Sequence, residues 1–112
     1  MDLYEELQQK IKQLEYSVKQ LRKTGTAFAE AERDYKVLLR QEVLQLRDEG
    51  HAVGIIDKIC YGIPAVAEAR FKRDVAQTIY EACQEAIQSL KLQIRIIEGQ
   101  ISREWGQAGR QT

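Results

Sequence analysis

The sequence predicts an all-α fold: an antiparallel long-helix hairpin, coiled-coil-like, with a short connecting helix, assembling into a helical bundle. Three observations predict it. From Pro64 to Trp105 apolar residues recur at steps of three and four, and neither Gly nor Pro interrupts the run between Pro64 and Gly99. A second run with the same period extends from Tyr4 to Leu46. Between them lies a short segment bracketed by Gly50 and Gly62, which makes the antiparallel hairpin the simplest topology. The 112 residues are read as a single helical domain, with helices over about 2–49, 52–61 and 64–105.

The first helix carries Tyr4, Leu7, Ile11, Leu14, Val18 and Leu21, a narrow seam of strict three-four alternation. Its other faces hold Gln, Lys and Glu, so this half is expected to have one main partner surface. Thr24-Gly25-Thr26 offers a stop and a new cap, yet Leu21 and Phe28 stand one heptad apart with Gly25 in phase between them. The helix is therefore read as continuous and weakened at Gly25, with a kink at 24–26 as the alternative. From Phe28 to Leu46 the apolar face widens through Ala31, Tyr35, Leu38, Leu39 and Val43.

Gly50 suits the left-handed residue that follows a last helical turn. Val53, Ile55, Ile56, Ile59 and Cys60 then make a mostly apolar segment, long enough for about three helical turns or a buried strand. Gly62 stops it, and Pro64 suits a first helical turn. The last helix places Val66, Ala69, Ala76, Tyr80, Cys83, Ile87, Leu90, Ile94, Ile97 and Ile101 on one stripe, broken only by Arg73. Phe71, Val75, Ile79, Ala82 and Ala86 form a second stripe, and Leu92, Ile96 and Trp105 lie on a further flank. One partner helix covers one stripe, so Phe71, Val75, Ile79, Leu92, Ile96 and Trp105 are expected to form an oligomer interface, in a homodimer or larger assembly.

Polar groups on the seam are the most suggestive chemical feature. Pairing outward from the turn sets Glu42 near Arg73 and Glu32 near Tyr80, with Tyr35 between. The structural reading is a register-setting ion pair and hydrogen bond; the sharper one is a ligand pocket between helices. Arg40, Arg70, Lys72 and Arg73, with Tyr80, are candidates for phosphate or ligand contact, although Glu68 and Asp74 flank them as in a solvated mixed-charge face.

Composition narrows the function classes. Lys plus Arg and Asp plus Glu number 17 each, so no global positive excess draws the chain to nucleic acid. Cys60 and Cys83 lie far apart with His51 the sole histidine, which offers a metal site or disulfide framework little to build on. No nucleophile motif, Glu-x-x-His pair or Gly-rich phosphate loop is present. The segment from Ile55 to Val66 matches a helix-turn-helix poorly, because Lys58 stands where that motif places a small residue. The start, Asp2-Leu3-Tyr4-Glu5-Glu6, lacks the basic and apolar segments of a secretory signal, and no apolar span is long enough for a membrane helix. A cytoplasmic, non-enzymatic protein without cofactor or metal is expected.

The segments AEAERDYKVLLRQEVLQLRDEG (Ala29 to Gly50) and KRDVAQTIYEACQEAIQSLKLQIRIIEGQISREW (Lys72 to Trp105) resemble small, largely uncharacterised α-helical proteins of phages and prophages of Gram-positive bacteria. The resemblance implies a phage accessory protein in the host cytoplasm that binds a host or phage protein, and it transfers no active residues. The alternative from another class is a nucleic-acid or nucleotide-ligand binder using the cluster around Arg70 to Arg73.

Overall fold

A computed structural model describes residues 2–110, with side chains through Gln107. The described residues form a helical hairpin: α1 (Leu3–Asp48), α2 (Val53–Ile59), a 3-10 turn (Cys60–Gly62) and α3 (Pro64–Arg110). α1 is helical through Thr24-Gly25-Thr26. α3 continues beyond Trp105, where the sequence reading ended it, because no proline follows to break the ladder.

Each boundary has a local cause. The Asp2 carboxylate accepts a hydrogen bond from the Glu5 N–H at 2.8 Å, and Glu5 and Glu6 place negative charge in the first turn of α1. At the other end Gly50 takes a φ of 89°, its N–H donating to Arg47 and that of His51 donating to Leu46. This Schellman closure uses the carbonyls that the helix end leaves open. Ala52 starts α2 without a side-chain cap, its carbonyl accepting from both Ile55 and Ile56. The connector, read from sequence as helix over 52–61, tightens instead into the 3-10 turn, because Ile63 must be extended before Pro64. Pro64 then opens α3, where its missing N–H costs nothing.

The chain divides into two compact units, one of Lys23–Tyr80 and one built from the flanking residues up to Arg22 and from Glu81 on. In the Lys23–Tyr80 unit, Tyr35, Ile56, Cys60 and Val66 are buried, with Val66 and Ile56 fully enclosed. Here Glu32 of α1 meets Arg73 of α3, and seven residues back Gly25 meets Tyr80, seven residues on. The helices are thus antiparallel, and position 41 stands about level with Pro64. This corrects the pairing of Glu42 with Arg73 and of Glu32 with Tyr80. The last turns of α1, from Glu42 onward, run past the start of α3, because the connector needs that length to fold back.

In the flanking unit Ile87, Leu90 and Ile97 are buried, and Leu3, Leu7, Leu14, Ser17 and Leu21 are half-buried. The predicted seam of α1 is corrected here. Leu7, Ile11, Leu14 and Leu21 are half-buried as predicted, but Tyr4 is 66% and Val18 51% exposed, while Leu3 and Ser17 beside them are half-buried. Leu3 and Ser17 satisfy the same spacing to the leucines as Tyr4 and Val18 do, so a one-position rotation exchanges them. The α3 stripe, by contrast, is buried or half-buried at every predicted position from Val66 to Ile101, Arg73 included.

The corrected seam is testable in thermal melts. Ile87→Ala should cost about 2–5 kcal/mol, whereas Val18→Ala should stay within about 0.5 kcal/mol. Comparable losses at the two positions would restore Val18 to the seam.

Candidate functional site

The Lys23–Tyr80 unit holds most of the polar seam. Arg73 takes a core position of the α3 stripe, and its guanidinium lies 4.7 Å from the centroid of the buried Tyr35 ring. Its Nε donates to Asp74 Oδ1 at 2.8 Å and its Nη1 to Glu32 Oε2 at 3.4 Å. The other Glu32 oxygen faces Lys36 Nζ at 3.3 Å, one helical turn on. Desolvation works against the Arg73 charge, but the hydrogen bonds and fields of Asp74 and Glu32 overcome it and hold the pKa above the ordinary arginine value. The cluster is a charge partly withdrawn from water and locally neutralised.

Tyr80 stands apart from this cluster. Its ring lies against the Gly25 backbone, where an added Cβ would come within 3.1 Å of Cε2, and stacks at a tilt on Phe28 with centroids 6.0 Å apart. Gly25 is thus the place where an aromatic side chain approaches the α1 backbone. Arg70 lies 5.6 Å from the ring centroid of Tyr61. Arg40 is exposed and Glu42 half-buried, and neither has an ion pair among the described residues. His51 faces Glu49 at 3.6 Å on the surface. Both cysteines are free thiols; in the flanking unit Cys83 Sγ donates to the Ser17 carbonyl at 3.4 Å. Among the described residues no His, Cys, Asp or Glu group could hold a metal, and no helix is long and apolar enough to cross a membrane.

Beside the seam of the Lys23–Tyr80 unit run two open grooves. One, of about 340 Å³, lies between Lys23, Thr24 and Ala27 of α1 and Phe71, Val75 and Ile79 of α3. The next, of about 510 Å³, has Ala31, Ala65 and Ala69 along its floor and Glu30, Asp34 and Glu68 at its edges. The predicted interface residues Phe71 and Ile79 are 62% and 52% exposed, and Val75 is exposed beside them. In the flanking unit Leu92, Ile96 and Trp105 are exposed, Trp105 at 76%.

No protein-family model, curated protein or solved structure matches the chain. The site is therefore read from its own chemistry. Glu32, Tyr35 and Arg73 come together as a polar seam. Tyr80, Arg40, Arg70 and Lys72 do not join them, and Lys72 instead lines both grooves. The sequence reading missed the α1 side of those grooves, Ala27, Glu30 and Asp34. The available signal was the recurrence of alanine on and beside the seam, at Ala27, Ala31, Ala65, Ala69 and Ala76, which opens space between two helices.

The polar cluster predicts energetic coupling. In a double-mutant cycle, Arg73→Met and Glu32→Gln should show an interaction of about 1 kcal/mol, in the lower part of the usual range because both groups are partly solvated. Additive losses would assign the pair to solvent.

Proposed function

We propose that this is a non-enzymatic interaction protein that works as a homo-oligomeric helical bundle. The observation carrying this reading is the exposed row Phe71, Val75 and Ile79 along an open groove of the Lys23–Tyr80 unit. A contiguous apolar row facing water is unusual on a monomer and more often marks an interface. The second exposed group, Leu92, Ile96 and Trp105, supports the same reading for the flanking unit. The likeness of the Ala29 to Gly50 and Lys72 to Trp105 segments to phage and prophage proteins supports an accessory role in a bacterial host cytoplasm, with a host or phage protein as the further partner. Co-purification from the host identifies that partner.

The nucleic-acid or nucleotide-ligand reading has weaker support. Arg73 is engaged by Glu32 and Asp74, and Glu30, Asp34 and Glu68 line the groove that Lys72 shares. Carboxylates so close offset the positive charge that phosphate binding relies on.

Light scattering at micromolar concentration should give at least twice the 12.9 kDa chain mass. Apolar burial is not screened by ions, so added salt should weaken the association only modestly, through any charges at its edge. A monomer counts against the reading.

A further inference from the structure

The two grooves of the Lys23–Tyr80 unit share Ala27 and Lys72, so they form one trough along a single side of the α1–α3 pair. Its sides differ in chemistry. The α3 side raises Phe71, Val75 and Ile79, all large and exposed. The α1 side is low at Ala27 and Ala31, with Glu30 and Asp34 beside them. In the register set by Glu32 with Arg73 and Gly25 with Tyr80, Val75 is level with the stretch between Ala27 and Ala31. Lys72 is level with the stretch between Glu30 and Asp34.

We propose that a second copy of this chain docks on this trough, about a two-fold axis that runs along it. The inference rests on the self-association reading and names its surface. Such an axis lays α3 of each copy over α1 of the other without changing their levels. Phe71, Val75 and Ile79 then enter the hollow over Ala27 and Ala31 of the partner subunit, large side chains against small ones. Lys72 meets Glu30 and Asp34 of the partner subunit. Shape and charge are both self-complementary in this arrangement, and every α1 gains a second antiparallel neighbour, as in a four-helix bundle. The charges are available for it. Lys72 and Glu30 make no ion pair among the described residues, and Asp34 pairs at 3.1 Å with its exposed chain neighbour Arg33.

Sedimentation equilibrium on the full chain tests the surface, with circular dichroism as the folding control. Lys72→Glu sets like charges opposite one another and should weaken dimerisation by about tenfold or more at unchanged helicity. Combining it with Glu30→Lys and Asp34→Lys reverses every partner and should restore the wild-type dissociation constant. Val75→Asp, at an exposed position, should weaken the dimer without unfolding the chain. If the wild type associates and neither Lys72→Glu nor Val75→Asp changes its mass, this surface is overturned while self-association stands. If the triple variant stays as weak as Lys72→Glu, the charge pairing is overturned. A monomeric wild type overturns the surface together with the reading beneath it.

Discussion

Two helices packed side by side can cover only one stripe of each other, and that geometric limit governs the rest of this molecule. α3 carries more apolar residues than one stripe holds. Its core row is buried or half-buried against α1, while Phe71, Val75 and Ile79 in one unit and Leu92, Ile96 and Trp105 in the other face water. The chain solves its helix ends locally, with the Asp2 cap, the Gly50 closure and Pro64 at the start of α3, so the surplus does not arise from frayed termini. It arises because in each unit the pairing leaves part of α3 without a neighbour.

Within the Lys23–Tyr80 unit, a single charged residue in the core row does the aligning. A slide along the helix axis would pull Arg73 from Glu32 and from the face of Tyr35, and would move the Tyr80 ring off the one position of α1 that lacks a Cβ. Apolar contacts along a heptad seam are nearly degenerate under a seven-residue shift, whereas these two contacts are not. The same alignment sets Val75 level with the alanines of α1 and Lys72 level with its acidic residues. The surface proposed for self-association is therefore a consequence of the register.

Arg73, half-buried in the seam, has its charge met by Glu32 and Asp74, and the thiol of Cys83 is engaged by the Ser17 carbonyl. What remains open to solvent is an apolar row above a bed of alanines, edged by lysine and carboxylates. In the proposed dimer that surface would bind by shape and desolvation, with charge selecting the orientation.

The sequence by itself determined the three helical segments, the ends marked by Gly50 and Pro64, and the whole buried row of α3, while the far end of α3, the 3-10 turn and the choice between a continuous and a kinked α1 at Gly25 came from the structure. The former follow from local rules: period, caps, the conformational demands of Gly50 and Pro64, and a stripe dense enough in large residues to admit one orientation. Tertiary structure alone decided which neighbours of Leu7, Leu14 and Leu21 share their seam at its two ends, because Tyr4 and Val18 satisfy the same spacing as Leu3 and Ser17, which are half-buried where the former are exposed. It also decided that Arg73 meets Glu32 and not Glu42, since the length the connector takes in turning back is not written in any periodicity. Of the candidate site, the apolar half on α3 was legible as a second stripe. The half on α1 was not: alanine and carboxylate become a groove only when another helix stands beside them.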